Sequence, residues 1–162
     1  MKRILLVALA IGTLWFAARA AADALRSDEE RIRLVFEAEV AAFNDAAVFS
    51  TLANFADDFR DTSGGFDRAL LLSALRYAFL NRRDAEGAFR HRCQIAWDGV
   101  VTEIHEDAGL AEARFTLALF SGRNEDSPVE WEVDVIAKLQ WRDGRWLITE
   151  SKHTTNRGRR PW

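Results

Sequence analysis

The chain has 162 residues, 49% of them apolar and 29% charged, with a formal net charge of −3. That balance excludes a disordered chain, and so small a charge excludes the electrostatic footprint expected of a nucleic-acid-binding domain. A single cysteine, Cys93, excludes an intrachain disulfide, and the sequence contains neither a zinc-ligand spacing nor a phosphate-binding loop.

Lys2 and Arg3 precede an uncharged run over residues 4–18, and Ala18-Arg19-Ala20 offers small residues at both positions before a cut. This is the pattern of a secretory leader, and the run is shorter than the ~20 residues that span a bilayer. Residues 1–22 are therefore read as a signal peptide cut after Ala20, or as an uncleaved anchor with Arg19 at the interface. The first reading places the rest of the chain in the bacterial periplasm or outside the cell. The second tethers it to the inner membrane, and membrane contact is expected through the leader only if it is uncleaved.

Ser27-Asp28-Glu29-Glu30 fits a capping box, and Ile32, Val35, Phe36, Val40 and Phe43 then recur at helical spacing. Asn44-Asp45 closes this first helix. Val48, Phe49, Leu52 and Phe55 predict a short second helix to about Ala56. A third helix is predicted over residues 67–81, with Leu71, Leu75 and Phe79 on one face. Between the second and third lies residues 55–66, a hinge with three carboxylates (Asp57, Asp58, Asp61), Arg60 and the Gly64-Gly65 pair.

From Phe89 the period changes to two, predicting strands over 89–97, 100–106, 110–121, 129–142 and 145–154. Asp143-Gly144 marks a two-residue hairpin. A regular ladder from that hairpin pairs Trp141 with Trp146, Leu139 with Ile148, Ala137 with Glu150 and Val135 with Lys152 on one face. The opposite face carries Gln140 with Leu147, Lys138 with Thr149, Ile136 with Ser151 and Asp134 with His153. The first face is the more apolar and is expected to meet the helices. Glu150 would then point inward, where a carboxylate needs a partner, water or a ligand.

The order of helices and strands, Phe55-Ala56-Asp57-Asp58-Phe59, the Gly64-Gly65 turn and the closing residues 141–148 together resemble the nuclear transport factor 2-like superfamily. That group includes ketosteroid isomerases, scytalone dehydratase and SnoaL-like cyclases. The resemblance spans residues 25–155, leaving a basic tail over 156–162. It implies an α+β fold in which three N-terminal helices pack on a curved, mainly antiparallel sheet and enclose a cavity, the cystatin-like cone. By the same resemblance, Glu39 stands where the isomerases carry an oxyanion-donating Tyr, Ala137 where they carry a second acid, and Asp61 nearest to their catalytic base.

The candidate site residues are thus Asp61 and Glu150 as carboxylate bases, with Glu39, Trp97, Trp131, Trp141 and Trp146 lining a pocket. No cofactor and no metal is expected, although Asp57, Asp58 and Asp61 are spaced closely enough to be weighed as oxygen ligands. Three functions remain open at this stage. The first is binding of a small apolar ligand or a partner protein. The second is an isomerase-, dehydratase- or cyclase-like enzyme, and the third is a structural domain dimerising through Ile136 and Leu147 on the outer sheet face. The basic tail is read as frayed or as a contact for anionic headgroups or a partner.

Overall fold

A computed structural model describes residues 26–124 and 126–160, so the leader expected over residues 1–22 lies outside the described residues. Helix α1 (Asp28–Asn44) begins at the expected capping box, with Glu30 N donating to Ser27 Oγ at 3.3 Å and Ser27 N donating to Glu30 Oε2 at 3.2 Å. Helix α2 (Arg68–Asn81) is capped by Asp67, whose carboxylate accepts from Leu70 N at 2.8 Å.

The expected second helix is not formed. Residues 50–52 make a single 3-10 turn, and Phe55–Asp61 runs as strand β1. The fold therefore has two helices, not three, among the described residues. The spacing of Val48, Leu52 and Phe55 suits one helical face, but Phe55–Asp61 gains more by hydrogen bonding to a strand some 90 residues later. Local periodicity has no access to that competing partner.

Five further strands follow: β2 (Arg92–Ile95), β3 (Val101–His105), β4 (Leu110–Phe120), β5 (Val129–Arg142) and β6 (Arg145–Gly158). They form one sheet in the order β1-β6-β5-β4-β2, with β3 also paired to β4. Every pair is antiparallel except β1 with β6.

The hairpin pairs Trp141 with Trp146 and Leu139 with Ile148 as expected, but the register then shifts at a bulge. Lys138 faces Glu150, Ala137 faces Ser151 and Val135 faces His153. Because side chains alternate across a strand, this step reverses the faces of β6 from Glu150 to Thr155, where a second shift follows. Glu150 moves to the outer face, and Ser151 and His153 move to the inner one.

The inner face packs on α1 through Ile32 and Phe36 against Phe59, Phe115, Leu139, Trp146 and Ile148. Ala113 and Ala137, paired across β4 and β5, are buried beneath the helix and leave it space. A second cluster joins Leu75, Ala78 and Phe79 of α2 to Leu52 and Phe89. The C-terminal end of α1 is tied to β2 by one amide: Asn44 Nδ2 donates to Cys93 O at 3.1 Å, and Cys93 N donates to Asn44 Oδ1 at 2.7 Å. On the outer face Ile136 is half-exposed, whereas Leu147 is buried, so the apolar pair weighed for dimerisation is not jointly accessible.

Candidate functional site

Between α1, α2 and the inner face of the sheet lies a cavity of about 290 Å³. Its wall is largely aliphatic and aromatic, including Phe36, Phe59, Phe115, Leu117, Val133 and Val135. The side chains that interrupt this apolar wall with chemistry are Glu39, Cys93, Asp61, Ser151, His153 and Arg160.

Asp61 closes β1 and is held by the turn that follows it. Its Oδ2 accepts from Gly64 N at 2.8 Å, and its Oδ1 accepts from Ser63 N and from Ser151 Oγ, each at 3.3 Å. The turn is stitched to β6: Thr62 N donates to Ser151 O at 2.8 Å, and Ser63 Oγ bridges the backbone of His153. The Gly64-Gly65 pair is required by this geometry. A Cβ on Gly64 would meet Asp61 Oδ2 and the Phe66 ring at 2.7 Å, and Gly65 has φ +70°.

His153 Nδ1 lies 3.6 Å from Asp61 Oδ1, within ion-pair range and slightly long for a hydrogen bond. Its Nε2 lies 3.1 Å from Arg160 Nη2. A guanidinium has donors only, so Nε2 must accept, and the ring proton then sits on Nδ1 facing Asp61. The ring also meets Trp131 edge-on, with centroids 5.5 Å apart. Trp131 is fixed in turn by its Nε1, which donates to Thr155 Oγ1 at 3.1 Å.

Glu39 supplies a second polar feature of the wall. Its Oε1 accepts from Asn54 Nδ2 at 2.9 Å and from Asn54 N at 3.3 Å, while Oε2 is buried without a hydrogen-bond partner among the described residues. Burial, only partly offset by the two Asn54 hydrogen bonds, pushes its pKa up to about 8. At neutral pH this side chain is a carboxylic acid with an O–H to donate. Cys93 also lines the cavity, but burial pushes its thiol up to about 12, which removes the thiolate needed for nucleophilic chemistry.

Of the expected site residues, Glu39, Asp61 and Trp131 line the cavity, and so does Ala137 at the position carried over from the isomerases. Glu150 does not: the bulge turns it outward, where it pairs with Lys138 at 2.7 Å. Such an exposed pair adds little. Replacing Glu150 by Gln should leave the melting temperature and any ligand response unchanged; a changed ligand affinity would place it back at the cavity.

Three of the four strand tryptophans also fall elsewhere. Trp97 sits in the 3-10 turn after β2 under Arg33, and Trp146 is buried with its Nε1 donating to Asp28 Oδ1 at 3.2 Å. Trp141 is partly exposed beneath Arg31. None of these three rings lines the cavity.

The three hinge aspartates diverge. Asp57 is exposed 3.6 Å from Arg68, Asp58 is clamped by both Nη atoms of Arg142 at 2.8 and 3.0 Å, and only Asp61 turns inward. Among the described residues no group of three or more His, Cys, Asp or Glu side chains gathers in a way that could hold a metal ion.

His153 and Arg160 are the site residues that sequence reasoning missed. The regular ladder put His153 on the outer face, and the basic tail was read as lying beyond the fold. The run of polar and β-branched residues from Ser151 to Thr155, compatible with strand continuation, was the available signal for a longer β6.

Neither a family model nor a curated protein matches the chain. Solved structures do match. A protein from Novosphingobium aromaticivorans with a cystatin-like fold, described as nuclear transport factor 2-like, superposes with a TM-score of 0.64 at 12% identity, covering 89% of this chain and 90% of that one. A cystatin-like protein of unknown function from Nostoc punctiforme gives 0.61 at 16%, covering 80% and 91%. This chain has the nuclear transport factor 2-like fold.

Another Novosphingobium aromaticivorans protein, named as a candidate aromatic ring hydroxylase, gives a TM-score of 0.61 at 14% identity, covering 80% and 90%. At these identities the shared property is the nuclear transport factor 2-like fold itself, and one fold serves many chemistries.

Proposed function

We propose that this domain binds a small, mainly apolar molecule in its cavity and moves a proton on it, with His153 as the acid–base group and Asp61 orienting the ring. The observation that carries this reading is the Asp61–His153 pair set in the wall of an otherwise apolar cavity. Asp61 already accepts two backbone N–H groups and a hydroxyl, so it serves as the orienting anion, and the imidazole is the group able to exchange a proton. Glu39 lines the same cavity and, neutral at pH 7, carries an O–H able to donate. The leader pattern would place this activity in the bacterial envelope.

A pure binding role is the second reading, favoured by one contact. Arg160 covers His153 Nε2, the nitrogen that would have to reach a substrate. Exchange of carbon-bound hydrogen separates the two. A panel of cyclic and unsaturated ketones, some neutral and some carrying a carboxylate, is incubated with the protein in D₂O and followed by NMR for ligand binding and for deuterium incorporation next to the carbonyl. Proton transfer predicts incorporation that falls by roughly 10²-fold or more in His153→Gln, with binding retained. Binding without incorporation, or equal incorporation in His153→Gln, would leave only the binding role.

A further inference from the structure

We infer that the ligand carries an anionic end group, such as a carboxylate, and that Arg160 is the residue that receives it; this rests on the cavity being a ligand site. Arg160 reaches the cavity because β6 continues to Gly158, whose φ of +72° bends the chain just past the strand. A side chain at Gly158 would collide with the carbonyl oxygen of Glu130, so the bend depends on glycine at that position.

The guanidinium then lies over two cavity-wall rings, with its carbon 5.2 Å from the centroid of Phe66 and 5.4 Å from that of Trp131. Its polar contact is His153 Nε2, at 3.1 Å. Among the described residues no carboxylate forms an ion pair with it. Asp61, the nearest acid in the chain of contacts, is engaged on the far side of the imidazole. A cation held by aromatic faces in the wall of an apolar cavity, without a carboxylate partner among the described residues, is suited to a bidentate anion on a molecule whose apolar body fills the space behind it.

Receiving that anion has a second consequence. A guanidinium drawn onto a carboxylate need no longer cover Nε2, so binding of the anionic ligand is the event that exposes the imidazole nitrogen. Neutral molecules of the same shape would leave it covered.

The test uses a matched pair of probes, 2-naphthylacetate and 2-naphthylacetamide, titrated calorimetrically into the wild-type chain and into Arg160→Gln and Arg160→Lys. The expected result is a wild-type preference of roughly tenfold or more for the carboxylate, lost in Arg160→Gln and partly restored in Arg160→Lys. Matched melting temperatures identify the change as local. Equal wild-type affinity for both probes, or a preference that survives in Arg160→Gln, overturns the assignment while leaving the cavity reading intact. If wild type binds neither probe but takes up the neutral ketones of the panel above, the anionic class is overturned. If it binds nothing in either set, the cavity reading fails and takes this assignment with it.

Discussion

Replacing Glu39 by Gln should stabilise the protein at pH 9 while leaving it nearly unchanged at pH 5. The native carboxyl titrates near 8 against 4.5 for the same group free in water. Between those values the folded state holds a proton that the unfolded state has released, so stability falls as pH rises. The favourable contribution is complete below the unfolded value and is lost as pH passes through the folded one. Each pH unit in that window costs up to about 1.4 kcal/mol, and the whole span amounts to roughly 3–5 kcal/mol.

A glutamine keeps an acceptor for Asn54 and places an N–H donor where the buried acid O–H would be, with no charge to bury. Urea or thermal melts of both proteins from pH 5 to pH 9.5 should therefore converge at the acid end. At the alkaline end they should diverge by roughly 10 °C, for a domain of this size. Parallel curves across the range would show that Glu39 ionises freely in the native state, and the hydrogen-bond donor assigned to the cavity would be withdrawn.

Asp61→Ala should be the most damaging polar substitution in the site, at a cost of about 2–4 kcal/mol. The carboxylate is the acceptor for the Ser63 and Gly64 amides and for Ser151 Oγ, and it lies beside His153. Alanine leaves those donors without their acceptor. The loss should be read from denaturant midpoints, together with faster amide exchange at Ser63 and Gly64. Asp61→Asn retains one acceptor oxygen and should fall between the two. A loss below about 0.5 kcal/mol would mean that the turn is held by its backbone contacts to β6 alone, freeing Asp61 for a more direct role as base.

These two residues were legible in the sequence, each for a different reason. Glu39 follows from the resemblance, which sets it where the isomerases carry a Tyr on the first helix, and in the structure it lines the cavity. Asp61 stands at the end of a hinge whose Gly64-Gly65 pair signals a tight turn, and an aspartate preceding such a turn commonly caps it. Counting along a regular ladder pairs Trp141 with Trp146 correctly but misplaces Glu150. Counting back from a hairpin is reliable while the ladder stays regular, and a bulge leaves no trace in residue types at this position. The parallel partner of β6 was misread for a related reason: Phe55–Asp61 is a strand only because β6 offers it an edge.

From the sequence by itself come the capping box of α1, the start and end of α2, the Asp143-Gly144 corner, the inward face of the outer half of the hairpin and the general α+β architecture. All of these depend on contacts between residues a few positions apart, where propensity, periodicity and turn chemistry act directly. Only the tertiary structure decided that 55–61 is a strand, that Glu150 faces outward and His153 inward, and that Arg160 folds back over the cavity. Each of those outcomes is set by a choice between hydrogen-bonding partners distant in the chain, and the free-energy difference that makes the choice belongs to the assembled sheet, not to any local segment of it.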